Sequence, residues 1–463
     1  MVSSADFLPT GLEAETTTVC GWGRTNPVTV QVVAPARVSQ VQELVRCAPS
    51  GACIARGLGR AYGDAAQLKD GVVVSLSALE GVHLDSRRGV VTVGAGVSLD
   101  QVLRQVVPQG FFLPVTPGTR YVTVGGAVAA DVHGKNHHVD GSFGNHVTRL
   151  LLVDGQGDLR ELRPDAGRKE DVALFWATVG GMGLTGVIVE VSFALIPIAT
   201  SLISVDTTRY SSLDALMSAM VAADSRYRYS VAWVDSLDSK GRGVLTCGDH
   251  ARLDQLSGTQ RQDPLAYDPQ ALASAPLSLP GGLLNQWTVR AFNEAWFRKA
   301  PRQRQGELQP IAQFFHPLDG VKDWNRIYGP RGFLQYQFAV PDQAASLIPH
   351  VLGVLKRVGA PSFLTVLKRF GPANPSPLSF PMPGWTLAAD VSAAVPGLFE
   401  ALDQLDDLVA SAGGRLYLAK DSRQSAASFQ RMHSRFEEWR LAEERLDPRH
   451  IFASDLQRRT MGG

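Results

Sequence analysis

Residues 176–193 read WATVGGMGLTGVIVEVSF, and the residues after the last glycine decide the fold. Gly181-Met-Gly183-Leu-Thr-Gly186 is the chain's GxGxxG. In a Rossmann unit that spacing closes a strand and opens a helix whose N-terminus receives a pyrophosphate. Here the next residues are Val187, Val189, Val191, Phe193 and Leu195, alternating with Ile188, Glu190 and Ser192. The period of two and the β-branched content predict a strand. A strand offers no helix N-terminus to a phosphate, so a doubly wound nicotinamide-type site is excluded.

Two further glycine clusters lie upstream, ARGLGRAYGD (55–64) and PGTRYVTVGGAVAADVHGKNHH (117–138). Gly57-x-Gly59-x-x-x-Gly63 has the wrong spacing for a Rossmann turn, and Asp64 to Gly71 lacks a helical pattern. Three such clusters, each bordered by β-branched runs, predict several loops converging on one large anionic cofactor. Glycine allows positive φ and lets bare N–H groups approach phosphate oxygens.

Around these loops the pattern is mixed strand and helix. Val72, Val73, Val74 and Leu76 predict a strand, as do Val90 to Val93. Ser98 caps a helix with Leu99, Val102, Leu103 and Val106 on one face, ending near Gly110. Leu150–Val153, Asp154-Gly155 and Leu159–Leu162 predict a hairpin. After Pro197 the glycine density drops, which marks a domain boundary. Leu213, Leu216, Met217, Met220 and Val221 fit a helix, and so do Leu398, Leu402, Leu405 and Val409. Residues 257–306, with Pro264, Pro269, Pro276, Pro280, Gly281 and Gly282, read either as a long surface connection or as a mobile apolar lid. RKAPRQR (298–304) reads as a solvated basic turn, with contact to anionic lipid headgroups as the sharper alternative.

A chain of 463 residues with 44% hydrophobic and 19% charged residues has material for two cores. A net charge of +1 gives no general affinity for nucleic acid. No apolar stretch approaches the ~20 residues of a membrane span. The N-terminus, MVSSADFLPTGLEAETTTV, lacks the basic and apolar regions of a signal peptide, so the cytoplasm is the expected compartment. Cys20, Cys47, Cys53 and Cys247 have no metal or CxxC spacing and are expected to be reduced, buried thiols.

The motifs GWGRT (21–25), ARGLGRAYGD, TVGGA, HGKNHH, GSFGNHV (141–147), ALFWATVGG (173–181), WNRIYGP (324–330), GFLQYQF (332–338), PLSFPMPGW (377–385), GGRLYLAKDSR (413–423) and DPRHIFASD (447–455) are collinear over nearly the whole chain. With them the chain resembles the vanillyl-alcohol oxidase superfamily of flavoproteins. Within it the likeness is to the decaprenylphosphoryl-β-D-ribose 2'-oxidase family. The resemblance implies an α+β fold of two domains. An FAD-binding domain would span residues 1–199 and 415–463, and an inserted antiparallel-sheet substrate domain 200–414, with a mobile loop at 257–306. It also implies FAD-dependent oxidation of the ribose 2'-hydroxyl to a ketone, the first half of an epimerisation to the arabinose donor of cell walls. A separate short-chain reductase would be the partner, with peripheral membrane contact, at the inner membrane or, as in relatives, on its periplasmic side. The alternatives are an oxidase of another sugar, alditol or aldonolactone, and a catalytically idle flavin-binding protein.

By the same resemblance FAD would contact Ala55, Arg56, Gly57, Leu58, Gly59, Arg60, Ala61, Tyr62, Gly63, Asp64 and Ala65 in the first loop. In the second it would contact Gly118, Thr123, Val124, Gly125, Gly126, Ala130, Asp131, Val132 and His133, and beyond them Ile188 and Tyr417. Many superfamily members tether FAD through a histidine in the first loop. Gly59-Arg60-Ala61-Tyr62-Gly63 has none, so the flavin is expected to be noncovalent. His133, His137, His138 and His146 raise a metal site, but Gly134 and Asn136 disfavour a helix and no carboxylate–histidine motif accompanies them; no metal is expected.

Oxidising a secondary alcohol requires a proton acceptor for the hydroxyl and a hydride acceptor. The resemblance places Lys420 beside the reacting hydroxyl, with Tyr62, Gln337 and His133 in the catalytic set. Lys135, Lys368, Gln335, Phe315, Trp233, Thr386 and Ala388 fall in the substrate set. The chain departs from mycobacterial members at three of these positions. They carry Asn and Cys where Thr386 and Ala388 stand, and Tyr where Phe315 stands, which bears on substrate choice.

Overall fold

The computed structural model describes residues 7–270, 273–274 and 284–462. The strand expected after Gly186 is Val187–Ala194, the middle strand of a five-stranded antiparallel sheet. It lies between Val90–Gly94 and Val147–Val153, with Val82–Asp85 and Leu159–Leu162 at the edges. Both faces are covered, so Ile188 and Ser192 are buried together with Val187, Val189, Val191 and Phe193. Val147–Val153 and Leu159–Leu162 form the expected hairpin, where the Asp154 carboxylate accepts from the backbone N–H groups of Gln156 and Asp158.

A second, four-stranded sheet runs in the order Ala14–Val19, Val28–Val33, Val72–Ser75, Cys53–Arg56. Val72–Ser75 is flanked on both sides by parallel partners and is almost wholly buried, as its run of valines requires. The end of the chain returns to this sheet: Gly51 N–H donates to His450 O at 2.6 Å and Ala453 N–H to Cys53 O at 3.0 Å. Ser98 and Gln101 form a capping box on the helix Leu99–Val106, whose buried residues are Leu99, Val102, Leu103 and Val106. Gly110, at φ +81°, ends the short turn beyond that helix.

The largest sheet has eight strands, all paired antiparallel. Their order is Gln303–Pro310, Leu202–Tyr210, Gly243–His250, Tyr229–Val234, Thr365–Phe370, Gly384–Ser392, Phe333–Val340, Arg415–Leu416. Leu334, Tyr336, Phe338, Leu367, Leu387 and Val391 share one core with Leu216 of helix Leu213–Ala223, Val351 of Leu347–Arg357 and Leu405 of Leu398–Ser411. Side chains alternate across a strand, so the residues between these face the other way.

Two expectations are corrected. The described part of 257–306 is no structureless connection, because it contains the helix Gln286–Lys299, capped by Asn285, and the start of the strand Gln303–Pro310. The prolines and glycines that suggested a loop precede residue 284. The helix itself buries only Val289 and Asn293, so no apolar stripe announces it. Residues 271–272 and 275–283, with Pro276, Pro280, Gly281 and Gly282, lie outside the described residues. All four cysteines are free thiols, but Cys47 is exposed and Cys20 partly so. Cys47 falls on the outer side of helix Val38–Cys47, whose buried residues are Val41, Leu44 and Val45.

Candidate active site

A cavity of about 840 Å³ lies between the free face of the eight-stranded sheet and the glycine loops. The period of two builds its sheet wall: Trp233, Val366 and Lys368, Thr386 and Ala388, and Gln335 and Gln337 all project into it. Register then sets neighbours. Trp233 pairs with Val366, Lys368 with Thr386, Gln337 with Ala388, and Gln335 with Asp390.

The opposite wall is the first glycine loop. Among the described residues, no backbone N–H from Gly57 to Ala61 has an acceptor within the chain, although all five residues line the cavity. A row of unpaired N–H groups has the donor chemistry to hold a diphosphate without a mobile cation. Gly63 locks the loop to the C-terminal segment, because a Cβ there would lie 1.9 Å from Asp421 O. Tyr62 N–H donates to Ala419 O at 2.8 Å, which brings Tyr62 beneath Lys420. In the second loop, Thr123 Oγ1 accepts from Gly126 N–H at 3.1 Å and starts the helix Val124–Ala129. Tyr417 donates its hydroxyl to Ala130 O at 3.0 Å and stacks on Phe380.

Lys420 Nζ sits 3.5 Å from the centroid of the Tyr62 ring. Burial holds its amine below the ordinary lysine range; Asp390 opposes this and Lys368 adds to it. Burial pushes Lys135 down to about 7, with Lys368 contributing, and Lys368 down to about 8. Lys135 Nζ donates to Phe314 O and lies 4.3 Å from the Phe314 ring centroid. Gln337 donates from Nε2 to His133 Nε2 at 3.1 Å, and burial keeps His133 neutral. His137 Nδ1 accepts from Gly371 N–H, while His138 and His146 bond the carbonyls of Tyr227 and Asp140. The four histidines thus go to separate partners.

Lys420, Tyr62, Gln337, His133, Lys135, Lys368, Gln335, Phe315, Trp233, Thr386 and Ala388 all border this cavity. So do Ala55, Arg56, Gly57, Leu58, Gly59, Arg60, Ala61, Ala65, Gly118, Thr123, Gly125, Gly126, Ala130, Val132, Ile188 and Tyr417. Gly63, Asp64, Val124 and Asp131 do not; they brace the wall from behind. Asp64 pairs with Arg459, Val124 belongs to the core, and the fully buried Asp131 accepts from Ser142, Gly144 N–H, Asn374 and Ser379. Phe315 packs on Phe112 and Tyr229 and offers no hydroxyl. Trp233 spends its indole N–H on Phe363 O at 2.9 Å.

Sequence reasoning missed Asp390, Trp324, Tyr328 and Phe363. Asp390 was findable: in Gly384–Ser392 it stands at the same parity as Thr386 and Ala388, and it is the strand's one charged residue. Trp324 and Tyr328 stand four apart in one short helical turn and pack on Phe333, while Phe363, from a separate segment, stacks on Tyr328; only folding brings that last ring in.

Comparison with known proteins agrees with this geometry. Residues 30–163 match an FAD binding domain. The chain is 44% identical over 457 residues to the decaprenylphosphoryl-β-D-ribose oxidase of Mycolicibacterium smegmatis, spanning 96% of this chain and 98% of that protein. An uncharacterised Streptomyces coelicolor protein is 37% identical over 78% of this chain and 99% of its own length. A D-lactate dehydrogenase of Anaerostipes hadrus is 28% identical over 40% of this chain and 39% of its own. FAD is the cofactor, and the unpaired N–H row and the cavity's size fit it.

Proposed function

Because the chain belongs to the decaprenylphosphoryl-β-D-ribose oxidase family of FAD-binding proteins, we propose that it oxidises the 2'-hydroxyl of a polyprenylphosphoryl-β-D-ribose to a ketone. Bound FAD, held noncovalently by the loops 55–65 and 118–133 with Ile188 and Tyr417, supplies the acceptor for the hydride. The chain's own residues do the rest. Lys420, with its amine lowered to about 7 by burial, is present in part as the free amine near neutral pH and takes the hydroxyl proton. Tyr62 supports its Nζ from below. Gln335, Gln337 and Thr386 offer hydrogen bonds to sugar hydroxyls, while Ala388, Phe315 and Trp233 form an apolar wall. Lys135 and Lys368 face the cavity as desolvated amines, and an arriving phosphate diester returns the charge pairing that burial removed.

The observation that carries this reading is the convergence of three half-buried lysines, Lys135, Lys368 and Lys420, on the one cavity that the unpaired N–H row of residues 57–61 also lines. Anaerobic mixing with a polyprenylphosphoryl-β-D-ribose analogue is expected to bleach the flavin absorbance and yield a keto sugar, whereas free ribose, alditols and D-lactate leave it unbleached. Bleaching by a free sugar in preference would move the assignment to a soluble-substrate oxidase. The keto product requires a separate short-chain reductase to complete an epimerisation.

A bilayer is the source of such a substrate. Among the described residues no helix is long and apolar enough to cross one. The helix Gln286–Lys299 instead exposes Trp287, Phe292 and Trp296, of which the last two reach the cavity. Arg290, Arg298, Lys299, Arg302 and Arg304 lie on or just beyond this helix. This face reads as a peripheral contact with anionic lipid. Trp287→Ser/Arg290→Ser is expected to weaken binding to phosphatidylglycerol vesicles roughly tenfold, on the order of 1 kcal/mol from the ring and less from the charge. Oxidation of a short-chain soluble analogue should be unchanged. Equal vesicle binding by the variant would remove this face from the proposal.

A further inference from the structure

We propose that Asp390 is the counter-charge of Lys420 in the resting site, a positioning residue that acts on the reacting hydroxyl only through that amine. The inference rests on the reading of Lys420 given above.

Asp390 is completely buried on the cavity face of Gly384–Ser392. Its cross-strand neighbour is Gln335, whose Nε2 donates to Oδ1. Oδ2 has no hydrogen-bond partner among the described residues. A buried carboxylate with one oxygen unmatched persists only where a cation stands near it. The groups that bear on it are Gln335, Tyr62 and Tyr328, and among the described residues the cation acting on it is Lys420. Asp390 and Gln335 both bear on the Tyr62 hydroxyl, and Lys420 Nζ lies over the ring of that same tyrosine, so the carboxylate and the amine flank one side chain. Lys368 also bears on Lys420 and disfavours its charge. Burial drives the Asp390 carboxyl up and the Lys420 amine down, and each opposes that drift in the other. The pair is therefore poised to hold one proton, on the amine as an ion pair or on the carboxyl as a neutral pair. Nothing in the packing requires a charge here, since an asparagine would accept from Gln335 equally well.

The test reads Lys420 directly. FAD-loaded protein is labelled with trace acetic anhydride across a pH series, and acetylation at Lys420 is quantified by peptide mass spectrometry. The unprotonated amine is the reactive form. Removing a negative neighbour favours that form, so Asp390→Asn is expected to move the labelling midpoint down by about one pH unit. Asp390→Ser, smaller and equally uncharged, must move it the same way and serves if the asparagine variant fails to hold FAD. The acid limb of single-turnover flavin reduction by the polyprenylphosphoryl ribose should shift in parallel. An unchanged Lys420 midpoint in both variants overturns the proposal, whatever the effect on thermal stability. A shifted midpoint in a protein whose flavin the ribose substrate never reduces would support the pairing and reject the substrate reading alone.

Discussion

Lys420→Met is expected to slow reduction of the bound flavin by polyprenylphosphoryl ribose about 10²–10⁴-fold, the range for loss of a positioned general base. The fold should survive. Lys420 is half-buried, and methionine of similar length removes a desolvated amine without opening a void. Tyr62 loses only the cation above its ring, and the backbone bond from its N–H to Ala419 O is independent of side chain 420. The FAD-to-protein ratio should therefore match the parent protein. Lys420→Arg should not restore the rate, because a guanidinium does not give up its proton near neutrality. In the parent protein the rate should rise with pH through the lowered titration of this amine and then level off. The rising limb should vanish in Lys420→Met. Stopped-flow bleaching of the flavin measures all of this, and a loss below about tenfold would remove Lys420 from the role of base.

Arg459→Leu is expected to destabilise the protein by about 3–5 kcal/mol and to cost it most of its FAD, as happens when one partner of a buried ion pair is removed. The guanidinium, near the end of the chain in helix Asp455–Thr460, binds Asp64 through two nitrogens at 2.8 and 3.0 Å and Asp421 at 2.8 Å. Both carboxylates are almost fully buried. Asp64 comes directly after the Tyr62-Gly63 turn of the first glycine loop, and Asp421 directly after Lys420. One side chain thus ties the first glycine loop to the segment bearing Lys420. Burial alone would raise the Asp421 carboxyl, but Arg459 and Arg423 with two backbone N–H groups hold it below its ordinary value. Its contribution is present above the ordinary carboxylate range and disappears only as pH falls below about 4. Denaturant midpoints and FAD retention on gel filtration would measure the effect. A variant within about 1 kcal/mol of the parent with full FAD content would show that the loops hold themselves.

Much of this site is written in local pattern. The alternation after Gly186 demanded a strand and ruled out a Rossmann turn, because side-chain parity along an extended chain is a local property. Ser98 announced its helix because a capping side chain acts within one turn, and the structure adds Gln101 to complete the box. Thr386 and Ala388, like Gln335 and Gln337, share a face by the same parity. The glycine loops and the motifs around Lys368 and Lys420 pointed to the cofactor and the amines through family resemblance.

Tertiary structure decided what these residues became chemically. Strand neighbours are set by the sheet order, so the pairing of Gln335 with Asp390 exists only after long-range register is fixed. The helix Gln286–Lys299 is held by capping and two buried residues, too little for a periodic signal. Cys47 is exposed because of which side of its helix meets the core. Lys420 becomes a candidate base, and Asp390 its counter-charge, because folding removes both from water. Desolvation belongs to the whole surrounding assembly of atoms, and no stretch of sequence carries it alone.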